Sequence, residues 1–98
     1  MTIQENKEGS KLTVRVEGRL DTTTAPELEE KLKGLLEDVT DLTLDFEKLD
    51  YISSAGLRVL LSTQKTMNKQ GEMKVTKVGA PIMEIFEVTG FSDILTIE

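Results

Sequence analysis

Neither cysteine nor histidine occurs among the 98 residues, and together the two absences remove much of the chemistry open to a small protein. Without cysteine there is no disulfide and no thiolate nucleophile. Without either residue the usual zinc sites are gone, and without imidazole a hydrolase loses its commonest general base. Long apolar runs are missing too. No stretch approaches the roughly 20 apolar residues that span a bilayer, and the opening MTIQENKEGS has no cationic segment followed by an apolar one. The chain is therefore expected to work in the cytoplasm, away from membranes. Cations are outnumbered, 12 Lys and Arg against 18 Asp and Glu, for a net charge of −6. That balance argues against nucleic acid as a direct partner, because affinity for a phosphate backbone comes largely from clustered Lys and Arg. A protein with a basic patch is the expected partner. Neither GxGxxG nor GxxxxGK[ST] is present, so no nucleotide loop and no cofactor of its own is expected.

What the chain does have is 38% hydrophobic residues spread along its length, enough for one modest core. A chain of this size buries only about 60 to 65% of its unfolded surface, so residues 1–98 should form a single domain. In KLTVRVEG, Leu12, Val14 and Val16 alternate with polar residues, the period of a strand with one buried face. A short strand around Ile3 and a turn at Gly9 and Ser10 make the opening a hairpin. Thr24 and Glu27 have capping-box spacing and Pro26 suits a first helical turn. Leu28, Leu32, Leu35, Leu36 and Val39 then form one apolar stripe. Leu42, Leu44 and Phe46 mark a strand that gives way to a loop. From Ser54 to about Gln70 a helix follows, with Leu57, Leu60, Leu61 and Met67 inward and Gly71 as its stop. EMKVTKV is a strand, Pro81 to Thr89 a short helix with Ile82, Ile85 and Phe86 on one side, and Gly90 with Phe91 its glycine C-cap. DILTIE is a candidate edge strand. The expectation is an α/β fold with a mixed, mostly parallel sheet of four to five strands and three to four helices. Clean alternation in two strands implies that one sheet face is partly exposed.

The stretch YISSAGLRVL, residues 51–60, runs from a loop into the second long helix, a place where ligands and chemistry gather in open α/β sheets. One serine would suffice as an N-cap. Here Ser53 and Ser54 are followed by Ala55 and Gly56, so the first turn is bare. A glycine so near a helix start fits either close approach by another molecule or tight helix-to-sheet packing. A phosphoryl group on one of these hydroxyls would add about −1.5 to −2 charges. The helix dipole would favour it there by roughly 0.3 to 1 kcal/mol, while any partner packed on the turn would be repelled.

Three segments together, VEGRLDTTTAPELEEKL from Val16, LDFEKLDYISSAGLRVLL from Leu44 and IFEVTGFSDIL from Ile85, resemble the anti-sigma-factor antagonists, the small stand-alone STAS domains of bacteria. The likeness covers essentially the whole chain. It implies partner switching. The unmodified protein binds an anti-sigma factor that is also a serine kinase and so frees a sigma factor; phosphorylation by that kinase, which supplies the ATP site, ends the binding, and a serine phosphatase resets it. The chain would be substrate and ligand, not enzyme. Placed on the family pattern of an apolar residue, commonly aspartate, serine, a small residue, glycine and leucine, the sequence has Ile52, Ser53, Ser54, Ala55, Gly56 and Leu57. Ser54 is the implied phosphoacceptor and Ser53, standing where aspartate is common, an alternative. The partner surface implied is Asp21, Ser53, Ser54, Ala55, Gly56, Leu57 and Arg58. Asp21 is also readable as a turn residue ahead of the first helix.

Other assignments compete. The same fold with a client other than a sigma pathway would look identical in sequence. Asp45, Glu47 and Asp50 bring a receiver domain to mind, but the acidic pair near the first strand and a length of about 120 residues are missing, so these carboxylates read as a solvated face and loop. Lys48 and Arg58 flank the serines. A serine–lysine nucleophile pair would also need an oxyanion hole and a pocket, for which there is no motif. Leu61, Met67 and Phe86 read as core, each on a helical face that must meet the sheet.

Overall fold

A computed structural model describes residues 1–98. Strand β1 (Thr2–Glu8) and strand β2 (Lys11–Leu20) form the opening hairpin, antiparallel from Thr2 opposite Glu17 to Glu8 opposite Lys11. Helix α1 (Ala25–Leu35), strand β3 (Asp41–Asp45), strand β4 (Leu49–Ile52), helix α2 (Ser54–Gln70), strand β5 (Glu72–Thr76) and helix α3 (Ala80–Thr89) follow, and Phe91–Asp93 add one 3₁₀ turn. The sheet runs β1-β2-β3-β5, and all pairings beyond the hairpin are parallel. This is the expected α/β arrangement. No helix is long and apolar enough to cross a membrane.

The alternation of β2 and β3 does what its period dictates. Leu12, Val14, Val16, Leu42 and Leu44 are all buried and join Met73 and Val75 of β5 in one core cluster with Leu28 and Leu32 of α1, Leu60 and Met67 of α2, and Ile82 and Phe86 of α3. The intervening Thr13, Arg15, Thr43, Lys74 and Thr76 stay exposed or half-exposed, so one face of the sheet is open. Ion pairs tie strand β1 to α1 and to the loop after it, Glu5 to Lys31 at 3.7 Å and Lys7 to Asp38.

Several local expectations need correction. The loop expected between the Leu42–Phe46 strand and the second long helix holds a further strand, β4. Phe46 turns out of β3, its N–H donating to Thr76 O at 3.0 Å, and Leu49 N–H closes a turn on Phe46 O at 3.1 Å. β4 then resumes beside the far half of β2, where a bulge between Gly18 and Arg19 shifts the register. The capping box does not form. Thr24 is already helical, at φ −96 and ψ −21, and makes no side-chain cap bond; its hydroxyl donates instead to Arg19 O at 2.7 Å. Leu61 is only half-buried and lies outside the core, because α2 buries the face carrying Gly56, Leu57, Val59, Leu60, Thr63, Gln64 and Met67. Gly71 does end α2, but its backbone is extended; a side chain there would overlap the carbonyl of Thr40. DILTIE contributes a single bridge, Ile97 beside Val75, since Phe91–Asp93 coil first. Gly90 is the glycine cap expected, at φ 82.

Candidate functional site

The two serines do different things. Ser53 continues β4 in extended conformation, φ −98 and ψ 176, and every polar group it has is engaged. Its N–H donates to Leu20 O at 2.9 Å, its carbonyl accepts from Leu57 N at 2.9 Å, and its hydroxyl accepts from Gly56 N at 3.4 Å. Ser53 is the N-cap. Ser54 is the first residue of α2, exposed, and its hydroxyl bonds to no protein group. The backbone decides this division: an extended residue before the helix aims its side chain back at the free amides, while the next one, already helical, points outward.

Behind the serines the turn is held tightly. Gly56 is buried, and a Cβ on it would come within 2.8 Å of both Ile52 Cγ1 and Leu20 Cγ and 3.0 Å of Leu20 O. Packing of α2 onto the strand ends therefore accounts for this glycine. Leu57 is likewise buried, and Ala55 half-buried against the core. Of the residues singled out from sequence, Ser54 and Arg58 are exposed, Asp21, Ser53 and Ala55 are half-buried, and Gly56 and Leu57 lie beneath. A shallow groove of about 300 Å³ opens between the starts of α1 and α2, lined in part by Thr22, Pro26, Ala55 and Arg58.

Pairing of Leu20 with Ile52 carries Asp21 alongside Ser53. Asp21 Oδ1 accepts from the amides of Thr23 at 3.0 Å and Thr24 at 3.1 Å, and Ala25 N–H donates to Asp21 O at 2.8 Å. The turn-residue reading thus has its geometry, one residue beyond the Leu20–Ile52 pairing that leads into Ser53. The amide of Thr24 holds the Asp21 carboxyl below its ordinary value; burial opposes this, and the Thr23 amide, the Thr24 hydroxyl and Arg19 reinforce it. An anion is fixed beside the turn. Arg19 approaches Asp21 at 3.6 Å and lies over the Tyr51 ring, 4.2 Å from its centroid, an attractive cation–π placement. Arg19 and Tyr51 were not foreseen. Their partnership depends on the register of β2 against β4, and β4 itself is hidden in the sequence.

The three carboxylates read as solvated divide as well. Glu47 and Asp50 are exposed, but Asp45 is only 6% exposed. It is paired with Arg15 and Lys77, both at 3.6 Å, and accepts from Glu47 N at 3.0 Å. Its role is to brace the break between β3 and β4. Lys48 and Arg58 are both exposed.

Chemically, the site offers one unengaged hydroxyl on a bare, exposed helix start, beside a fixed carboxylate and over a rigid floor. The STAS domain model matches residues 2–98, and the chain belongs to the STAS domain family. Among its curated relatives, the anti-sigma-B factor antagonist of Bacillus subtilis (strain 168) is 34% identical over 87 residues, 88% of this chain and 80% of that one. The protein of the same name from Staphylococcus aureus (strain NCTC 8325 / PS 47) is 37% identical over 84 residues, 84% and 78% of the two chains. The fold is similar to that of the Bacillus cell fate determinant SpoIIAA, solved in its phosphorylated form, with a TM-score of 0.77 at 17% identity, covering 99% of this chain and 91% of that one.

Proposed function

We propose that this chain is an anti-sigma-factor antagonist of a partner-switching pathway, controlled at Ser54. The unmodified protein binds an anti-sigma factor that is also a serine kinase, through the turn at Ser53–Leu57 and the exposed start of α2. The kinase transfers a phosphoryl group to Ser54 Oγ, binding ends, and a serine phosphatase restores the hydroxyl. The chain is ligand and substrate in this cycle and performs no catalysis. Two curated relatives called anti-sigma-B factor antagonists, similar over more than four-fifths of this chain, support the role.

The observation that carries the assignment is the division of labour between the serines. Ser53 is occupied as the cap, so its modification would remove a bond to Gly56 N, while Ser54 is exposed and unengaged. An anion at the first helical position is favoured by the dipole, so the fold tolerates the phosphate and only the surface changes. Incubating the protein with ATP and an extract of its own cells, followed by intact mass and site mapping, tests this. One phosphoryl group on Ser54, absent from Ser54→Ala, is expected. Phosphate that persists on Ser53 in that variant, or none at all, would contradict the assignment.

A further inference from the structure

Helix α2 is the most electropositive element of an acidic protein, +3 against +2 for β2. Its 17 residues include Arg58, Lys65 and Lys69 and no acidic side chain, against a net charge of −6 for the chain. All three cations are exposed and none is paired with a carboxylate; of the nine elsewhere, Lys7, Arg15, Arg19, Lys31, Lys33 and Lys77 are paired and Lys11, Lys48 and Lys74 are not. At 3.6 residues per turn, Ser54, Arg58, Leu61, Lys65 and Lys69 fall within an arc of about 80°. Leu61 sits among them, half-buried and outside the core. A cationic row with one apolar side chain in its middle therefore begins at the acceptor hydroxyl and runs the length of the helix.

From this we infer that the exposed face of α2 docks an acidic protein surface, with Leu61 as its apolar centre and Arg58 at the end nearest the switch. The inference rests on the antagonist reading and specifies the chemistry of the partner's face. The overall acidity of the chain points to a basic partner; the local charge at the docking row reverses that expectation, and local charge is what two packed surfaces meet. Three cations beside a large negative remainder are too few for a phosphate backbone, where affinity scales with the number of phosphates neutralised. They suffice to steer and orient an acidic protein. The row also gives the phosphate its leverage. Ser54 stands four residues before Arg58, the favourable order for an anion and a cation on one helix face. A phosphoserine there lowers the charge of the row from +3 to about +1 and draws Arg58 toward itself, away from a partner carboxylate.

The test uses the full chain and, as probe, the purified kinase-type anti-sigma factor that modifies Ser54. Association rates are measured by surface plasmon resonance at low and high NaCl for the wild type, Lys65→Glu/Lys69→Glu, and a control of equal charge change on another surface, Lys11→Glu/Lys74→Glu. The α2 variant should associate at least tenfold more slowly at low salt, and the control within about threefold of wild type. The wild-type rate should fall as salt rises. Leu61→Ala should bind at least tenfold more weakly with the same salt dependence. Equal rates for both double variants would overturn the inference and leave Ser54 control standing. A wild type that neither binds nor is phosphorylated removes both. Tighter binding of the wild type to a 20-nucleotide single strand or to phosphatidylserine vesicles than to the kinase, lost in the α2 variant, would overturn it in favour of a phosphate partner.

Discussion

Ser53 and Ser54 are chemically identical and one peptide bond apart, yet their environments assign them separate work. Ser53→Ala removes the cap bond to Gly56 N. It is expected to cost about 0.5 to 1 kcal/mol in urea unfolding, the lower part of the range for an N-cap because the bond is long, while phosphorylation still proceeds on Ser54. Ser54→Ala is expected to change stability by less than about 0.5 kcal/mol and to take no phosphate. Gly56 is the third residue with a definite role. Gly56→Ala presses a methyl group against Leu20 and Ile52, including the backbone carbonyl of Leu20, which cannot rotate away. An overpacking cost of about 1 to 3 kcal/mol follows, read as a fall in Tm of about 4 to 8 °C per kcal/mol for a domain of this size. Asp21 adds a pH dependence. Its folded pKa lies below the ordinary 3.8, so its ionised form contributes stability above that value, and the contribution is lost as pH falls through the folded pKa. Wild type and Asp21→Asn should therefore differ most at neutral pH and converge in acid, as followed by urea midpoints from pH 7 downward.

At the scale of elements, the sequence made the strands and helices legible wherever hydrophobic period and local packing agree. Leu12 to Val16 and Leu42 to Asp45 are strands, as their alternation suggests; Leu28 and Leu32 keep helical spacing and are buried. Strand β4 was illegible because it does not alternate: Leu49 and Ile52 are buried and Asp50 and Tyr51 between them are both exposed. Leu61 misled for a different reason. The buried face of α2 centres on Val59, Leu60, Thr63 and Met67, and Leu61 lies about 100° further round than Leu60, off its edge. The site was legible as a pair of serines, but which one caps was settled by backbone angles that no residue type encodes. One contact between elements lies beyond local sequence altogether. Gln70 Nε2 donates to Leu36 O and Val39 O, both at 2.6 Å, tying the end of α2 to the end of α1. Gln70→Ala leaves Val39 O without a partner, Leu36 O keeping the bond from Val39 N, and is expected to cost about 1 kcal/mol, with faster amide hydrogen exchange in the segment from Leu36 to Asp41.

For the molecule as a whole, the proposed cycle requires one modest core to withstand repeated gain and loss of a doubly charged group. The arrangement meets this by separating the parts: core residues beneath the turn fix its shape, and the hydroxyl that changes lies outside them. Phosphorylated and unmodified protein should accordingly share one far-ultraviolet circular dichroism spectrum, with Tm values within a few degrees. Binding should differ where the fold does not. The most direct measurement is isothermal titration of the purified anti-sigma-factor kinase with unmodified protein and with protein carrying a single phosphate on Ser54. At least a hundredfold loss of affinity in the phosphorylated form, with the spectrum unchanged, is the predicted result. Equal affinity of the two forms would contradict a switch at Ser54.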